Sequence, residues 1–153
     1  MVTLLVGGAM ASVAGGALRR RLGLATEVVD HDDPRLDVRL AAPTVVRASV
    51  DVSLMRYGIA KPFCENIETI ARRDGADALV MDMGPLSKAT PKAGMYAMKR
   101  LKNLPLRRIA LLRGNRFMRG FAGIVLTLGR FPEFRFFDSE ETAVQWAAAR
   151  PSA

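Results

Sequence analysis

The sequence is poor in the residues from which disulfide frameworks, metal cages and nucleophilic active sites are built. Its 153 residues include one cysteine, Cys64, and one histidine, His31. A single cysteine excludes an internal disulfide and fits a reducing compartment, so we expect a cytoplasmic protein. The same scarcity excludes a Cys/His metal cage and does not favour a Cys–His catalytic pair. We therefore expect neither a metal ion nor a cofactor.

Acidic residues are scarce over one long stretch of the chain. Glu133 is the only acid between positions 92 and 135, and the net charge of the chain is +8. Such a field attracts an acidic protein surface or an anionic ligand, although a solvated face would have the same composition. No interleaved aromatic residues, zinc-finger spacing or helix-turn-helix pattern accompanies the charge, so a nucleic-acid partner is not favoured. The basic residues of the stretch are Lys92, Lys99, Arg100, Lys102, Arg107, Arg108, Arg113, Arg116, Arg119, Arg130 and Arg135.

Charge of either sign is absent from the first 18 residues, and three arginines follow at positions 19–21. A secretory signal has its positive charge before the apolar region, and a membrane span is longer and contains less glycine. Three interpretations stay open: a flexible or over-extended segment, a membrane-associated helix, and an additional structured element. We expect residues 1–33 to form a flexible or weakly membrane-associated segment with a linker, and residues 34–150 to form the domain.

The domain begins with a predicted antiparallel hairpin. Residues 36–40 alternate apolar and charged side chains, which is typical of a half-buried strand, and residues 45–52 form a second strand. We expect this second strand to lie at or near a sheet edge. An exposed edge at residues 44–52, with apolar residues on the helix that follows Asn115, predicts a homodimer.

Helices and strands then alternate, which predicts a parallel sheet with right-handed crossovers. The expected order is a helix opened by Pro62 and ended at Gly75, a strand at 77–83, a helix from Pro91, a strand at 108–113, a helix after Asn115, a strand at 134–137 and a final helix. The apolar face of the helix after Asn115 comprises Phe117, Phe121, Ile124, Val125 and Leu128. The spacing of Asp138 and Glu141 predicts a capping box at the start of the final helix.

Polar residues follow two neighbouring strands of this sheet. Asp82 lies near the end of the central strand, and the turn after it contains Ser87 and the predicted helix cap Thr90. Because the carboxyl ends of parallel strands meet at one edge, we expect these residues to lie beside the turn after strand 108–113. That turn contributes Arg113, Asn115, Arg116 and Arg119. Together these residues predict an anion-receptive face at which the protein meets its partner.

Three segments resemble parts of a known superfamily: residues 78–82, residues 108–112, and residues 136–146, where a strand ending in Phe leads to an acidic cap and Ala-x-x-Trp. With the order of elements, they resemble the STAS/SpoIIAA-like superfamily, which includes anti-sigma-factor antagonists. The nearest similarity is to uncharacterised bacterial STAS/SEC14-type domain proteins, over residues 34–149. The resemblance implies an α/β fold whose mixed, largely parallel sheet has an opening antiparallel hairpin and about four helices.

The resemblance also implies a site of phosphorylation. In the antagonists a serine that follows an Asp is phosphorylated at the start of the helix after the central strand. Here Thr90 lies near the Asp position, and Pro91 and Lys92 lie near the serine positions. Ser87 and Thr90 remain as alternative acceptors, although forming a turn and capping a helix are their more ordinary roles.

Three functions stay open at this stage. The resemblance implies a non-enzymatic regulatory or protein-interaction module. Its SEC14 side implies a binder of a small hydrophobic or anionic lipid-like ligand. An enzyme is the least favoured alternative, because no catalytic triad or Gly-rich phosphate loop accompanies Asp82, Ser87 and Asn115. The side chains that would line a hydrophobic pocket are Met95, Met98, Phe117, Met118 and Phe121, with Arg116 and Arg119 near a headgroup.

Overall fold

The computed structural model describes residues 32–131 and 133–150. The three interpretations of the N-terminal segment fall on residues 1–31 and lie outside this part of the chain. None of the helices described here combines the length and the hydropathy that crossing a membrane requires.

The described residues form seven strands and four helices. In chain order they are β1 (Leu36–Ala42), β2 (Val45–Val50), β3 (Leu54–Met55), α1 (Tyr57–Asp74), β4 (Ala78–Asp82), β5 (Lys88–Ala89), α2 (Pro91–Lys102), β6 (Arg108–Leu112), α3 (Arg116–Leu128), β7 (Phe134–Phe137) and α4 (Glu140–Ala148).

Five of the strands form one mixed sheet, in the order β1-β2-β4-β6-β7. β1 and β2 are antiparallel, whereas β2, β4, β6 and β7 are parallel to one another. The crossovers between the parallel strands contain the helices, as parallel connections require. The predicted fold class, an opening hairpin followed by a largely parallel sheet with four helices, is confirmed.

The sheet separates two unequal apolar cores, because alternate residues of each strand point to opposite faces. On one face Leu79 and Ile109 pack with Phe63 and Ile67 of α1 and with buried residues of α2 and α3. On the other face the small strand residues Val80 and Ala110 pack against Ala143 and Ala147 of α4. Three helices therefore cover one face and a single short helix covers the other.

Two predicted helix starts were wrong. α1 begins at Tyr57, five residues before the proline expected to open it, and backbone bonds from Ile59 and Ala60 to the Arg56 carbonyl start the helix. Pro62 is buried inside the helix. Burial of this face outweighs the one helical hydrogen bond that a proline nitrogen cannot donate. The helix ends at Gly75 as expected, in the left-handed conformation with φ of 65°.

The predicted capping box of α4 does not form. The N-cap is Ser139, and no side chain caps the helix. The acidic side chains around the start of this helix bind arginines instead: Asp138 pairs with Arg119, and Glu140 pairs with Arg47. Of the two residues of the predicted box, Asp138 is drawn into an ion pair with another element, and Glu141 accepts from Gln145 within α4.

The exposed sheet edge predicted at residues 44–52 was wrong, although β2 does lie next to an outer strand. β2 pairs with β1 on one side and β4 on the other, so residues 45–50 are interior, and β1 and β7 are the outer strands of the described sheet. The sequence did not predict the second sheet, in which Leu54 pairs with Lys88 and Met55 with Ala89. Each of its strands has two residues, too few for a periodic pattern to be recognised.

Candidate functional site

Asp82 ends β4, the central strand of the sheet, and its side chain is enclosed at the carboxyl edge. The residue is only 3% exposed. Arg113 donates from Nε to Oδ1 at 3.1 Å and also pairs with Oδ2, while Arg47 donates from Nη2 to Oδ2 at 3.2 Å. The backbone nitrogen of Gly84 donates to Oδ1 at 2.9 Å. Both carboxylate oxygens are therefore occupied by donors from three elements of the fold.

These donors decide the charge state of Asp82. Burial by itself would raise the pKa of this carboxyl group, because a charged group is poorly solvated in the interior. The hydrogen bonds from Arg113 and Gly84, with the charges of Arg113 and Arg47, outweigh burial and hold the pKa below its usual value of 3.8. Asp82 is consequently an ionised structural anion at neutral pH, and a general acid or base needs a pKa nearer to neutrality.

Arg47 is the member of this cluster that the sequence analysis missed. It lies in the middle of β2 and is 9% exposed, and it also bonds Ser49 and Glu140. A charged residue inside the apolar run of residues 45–50 was the available signal. Arginine in a buried strand requires a carboxylate nearby, and the register places Ser49 of β2 beside Asp82 of β4.

Arg113 reaches Asp82 from a strained turn. Arg113 has φ of 60° and Gly114 has φ of 87°, so two consecutive residues adopt the left-handed region. Glycine suits position 114 because side chains rarely adopt this φ, and a Cβ there would also crowd Met83, at 2.7 Å from its Cε and 3.3 Å from its Cβ. The Arg113 backbone nitrogen donates to the carbonyl of Phe137 at 3.0 Å, which ties the turn to β7.

The other residues predicted on this turn have different structural roles. Asn115 caps α3, because its Oδ1 accepts from the backbone nitrogen of Met118 at 2.8 Å. Arg119 donates to the carbonyls of Arg113 and Phe137 at 3.2 and 3.3 Å, and to Asp138 at 2.5 Å. Arg116 is exposed and pairs with no carboxylate in the described residues. Of the three predicted arginines, two hold the fold together and one is available to a partner.

Ser87 and Thr90 contact other elements. The Ser87 hydroxyl donates to the carbonyl of Ser53 at 3.0 Å, beside the small β3–β5 sheet. Thr90 is the N-cap of α2, and its hydroxyl oxygen accepts from the backbone nitrogen of Ala93 at 3.2 Å. The structure thus joins Asp82 to Arg113, places Arg119 against the backbone of Arg113, and gives Ser87 and Thr90 roles in the turn and the helix cap.

A polar groove of about 590 Å³ opens beside Asp82. Its walls contain the carboxylates of Asp37 and Asp51 as well as the guanidinium groups of Arg39 and Arg113. Because charges of both signs line it, the groove does not select strongly for an anion. No group of three His, Cys, Asp or Glu side chains in residues 32–131 and 133–150 is placed to hold a metal ion.

A second surface is apolar, in contrast to the polar groove beside Asp82. Helices α2 and α3 are separated by an apolar groove of about 230 Å³, which we call the α2–α3 groove. Its large side chains are well exposed, with Met95 at 57%, Ile124 at 61% and Leu128 at 73%. Phe117, one helical turn before Phe121, is 62% exposed. The lining residues are Pro91, Gly94, Met95, Met98, Phe121, Ile124, Val125 and Leu128.

Basic side chains border this apolar surface, and neither helix contains an acidic residue. Lys99 and Lys102 follow Met95 and Met98 by four residues, so they lie beside them on the surface of α2. Lys92 and Arg116 are exposed at the starts of the two helices. An exposed apolar patch rimmed by charge of a single sign is typical of a protein-interaction or membrane-contact surface.

Beneath the α2–α3 groove lies a small apolar cavity of about 110 Å³. Gly94, Met98, Phe121 and Val125 line both the cavity and the groove and form the wall between them. Cys64 also borders the cavity, where burial raises the pKa of its thiol to about 12. The cysteine is therefore an unreactive apolar residue at neutral pH.

Solved structures that resemble this fold include the following three. One is an uncharacterised protein of the DUF3478 family from Shewanella loihica, described as SpoIIAA-like, with 15% identity and a TM-score of 0.56 over 74% of this chain and 92% of that chain. Phosphorylated SpoIIAA, a Bacillus cell fate determinant, has 16% sequence identity and a TM-score of 0.52, and the match covers 72% of this chain and 97% of that chain. Unphosphorylated SpoIIAA, an anti-sigma factor antagonist, has 14% sequence identity and a TM-score of 0.53, and the match covers 72% of this chain and 94% of that chain.

Comparison with family models and with curated proteins gave no match. At 14–16% identity, the structural similarity establishes the fold. It agrees with the hairpin, the parallel strands and the four helices described above. The domain from β1 to α4 therefore has a STAS/SpoIIAA-like fold.

Proposed function

We propose that this protein is a non-enzymatic regulatory module that binds another protein, and that the α2–α3 groove is its binding surface. The observation that carries the proposal is the exposed apolar surface of two adjacent helices that contain no acid. The partner that fits it presents apolar side chains flanked by carboxylates, most simply on one amphipathic helix. Two of the similar structures are of SpoIIAA, and its description as an anti-sigma factor antagonist supports a regulatory role by analogy of fold.

The chemistry of the carboxyl edge supports binding rather than catalysis. Asp82 is the buried acid at this edge, and Arg47, Arg113 and Gly84 occupy both of its oxygens. The nearby hydroxyls of Ser87 and Thr90 bond backbone groups, and no base among residues 32–131 and 133–150 is shown to contact either of them. An activated nucleophile requires such a base within hydrogen-bond reach.

The test is site-specific photocrosslinking of the full chain in the cells that produce it. A photoreactive residue at Leu128 lies in the groove, and one at Glu141, which is exposed on α4, serves as the matched control. We expect a protein to crosslink to position 128 and not to position 141. Once that protein is isolated, Lys99→Glu with Lys102→Glu should weaken its binding at least about tenfold, because the rim would then repel a carboxylate.

Two controls distinguish this result from non-specific binding to the protein surface. Arg72→Glu with Arg73→Glu reverses the same amount of charge on α1, away from the groove, and should leave binding unchanged. Higher salt should weaken binding of the parent protein, since exposed charges are screened. Crosslinking at position 128 to lipid alone, or equal crosslinking at both positions, would contradict the proposal.

A small apolar ligand is the second candidate function, and the cavity beneath the groove favours it. Its volume of about 110 Å³ is well below the roughly 300 Å³ at which ligand pockets begin, but near the 150 Å³ of an engineered cavity that binds benzene. A cavity of this size favours a ligand far smaller than a lipid. Native mass spectrometry of protein purified from cells would detect a bound molecule, and a protein of the apo mass would count against this candidate.

A further inference from the structure

β1 is an outer strand of the sheet, and its sequence is complementary to itself. In the described part of the chain β1 pairs with β2 alone. Its residues read Leu36-Asp37-Val38-Arg39-Leu40, with an acid and a base placed symmetrically about Val38. We propose that two copies of this chain associate by antiparallel pairing of their β1 strands about Val38.

The backbone of β1 has the orientation that this pairing needs. Asp51 donates from its backbone nitrogen to the Arg35 carbonyl at 2.8 Å, so the polar groups of Arg35 face β2. Because residues alternate along an antiparallel strand, the backbone groups of Val38 and Leu40 face away from β2. The hydrogen bonding between the two β1 strands would stop at Leu36, because its backbone nitrogen already donates to the Asp33 carbonyl at 3.0 Å.

Pairing about Val38 fixes which side chains meet. Asp37 of each copy lies opposite Arg39 of the other, and Leu36 lies opposite Leu40. Asp37 and Arg39 then occupy a non-hydrogen-bonded pair, where opposing side chains are closest. Both side chains are more than half exposed, at 53% and 64%. Within one copy Asp37 forms only long ion pairs, 3.7 Å to Arg39 and 3.7 Å to Arg47, which a closer contact with a second copy would supplement or replace. Leu40, at 37% exposure, would be covered by the same contact.

Charge favours a second copy at this edge rather than at the α2–α3 groove. Two groove surfaces would bring like charges together, because helices α2 and α3 contain no acid. At β1, a two-fold axis pairs each charge with its opposite. Pairing at β1 leaves the α2–α3 groove uncovered, so this proposal is independent of the partner proposed for that groove.

The experiment is sedimentation equilibrium of the full chain and its charge variants, up to about 100 µM, a range that detects micromolar association. We expect the parent to dimerise. Asp37→Arg places arginines opposite arginines, and Arg39→Asp places aspartates opposite aspartates, so each variant should dimerise at least about tenfold more weakly. Circular dichroism establishes that each variant is folded.

Restoring complementarity is the decisive measurement. An equimolar mixture of the two single variants should form a heterodimer, and the double variant D37R/R39D should form a homodimer again. Arg73→Asp makes the same change in charge on α1 as Arg39→Asp makes on β1, and should dimerise like the parent. A monomeric parent at about 100 µM, single variants that dimerise like the parent, or a mixture that stays monomeric would each overturn the proposal.

Discussion

The carboxyl edge of the sheet and the α2–α3 groove both combine apolar surroundings with arginine or lysine, but they use the charges in opposite ways. At the carboxyl edge, Arg47 and Arg113 bind a carboxylate that is 3% exposed. On α2, Lys99 and Lys102 lie beside apolar side chains that remain in solvent, and no carboxylate pairs with them among the described residues. One region satisfies its charges internally, and the other leaves both its charges and its apolar groups unpaired.

The comparison shows that residue type alone does not identify the binding surface. Asp82, Arg113 and Arg119 are the kinds of residue that functional sites contain, yet their partners are parts of the fold. Leu128 and Ile124 are the kinds of residue that cores contain, yet they are more than 60% exposed. The information that separates the two cases is the set of partners that each residue finds after folding.

If the Asp82 cluster is structural, its removal should have the largest effect on stability. Asp82→Asn keeps the shape of the side chain but removes its charge, which takes one counter-charge from buried Arg47 and one from Arg113. Breaking one partner of a buried ion pair costs about 3–5 kcal/mol, which is the upper limit here because Glu140 still pairs with Arg47 and Arg113 is 58% exposed. Urea unfolding of Asp82→Asn measures this loss. Asp138→Asn is the matched control, because Asp138 also pairs with an arginine but is 92% exposed, and it should cost far less.

The same cluster predicts how stability depends on acid. The pKa of Asp82 is lower in the folded protein than in the unfolded chain. Its contribution to stability is therefore complete above the unfolded value of about 4 and is lost as the pH falls through the folded pKa. Asp82→Asn should lack this component, so its free energy of unfolding should fall less steeply below pH of about 4 than that of the parent. Parallel slopes would place the acid sensitivity in other carboxylates.

Two leucines of α3 sharpen the comparison on a single helix. Leu126 is 6% exposed and Leu128 is 73% exposed. Leu126→Ala should cost about 2–5 kcal/mol, because it removes buried contacts and leaves a cavity. Leu128→Ala should change stability by less than about 0.5 kcal/mol but should weaken binding of a groove partner. Thermal melts of both variants test the expected difference in stability. A large loss from Leu128→Ala would mean that this side chain is covered by the protein itself.

The alternation of helices and strands could be predicted from the sequence because each element carries its own period. Every strand of the main sheet and every helix is found in its predicted place in the order, although α1 begins five residues before its predicted start. The exposure of α3 could not be predicted in the same way. Its stripe of Phe117, Ile124 and Leu128 has the spacing of a core face, but the residues that pack inward are Met118 and Leu126. Periodicity shows that a helix has an apolar face, and only the packing of neighbours shows whether that face is covered.

The candidate site was predictable to a similar degree. The contact between Asp82 and Arg113 follows from parallel neighbouring strands, which bring their carboxyl ends together. The contributions of Arg47 and Glu140 depend on pairing between residues 93 positions apart, which no local pattern encodes. The bond from Ser87 to Ser53 spans 34 positions and was missed for the same reason. Long-range pairs decided which polar residues became structural.

The smallest expected effect concerns Thr90, which the sequence placed both at a helix cap and in a candidate partner-binding face. As the N-cap of α2, it accepts one hydrogen bond from Ala93, and removing such a cap costs about 1 kcal/mol. Thr90→Ala should lose this amount in urea unfolding, whereas Thr90→Ser, which keeps the hydroxyl, should lose much less. Asn115→Ala is the matched variant at the start of α3, because Asn115 caps that helix in the same way, and its cost should be similar. If Thr90→Ala instead kept full stability but lost binding of a groove partner, Thr90 would belong to the binding surface, and the division between the two regions would have to be redrawn at the start of α2.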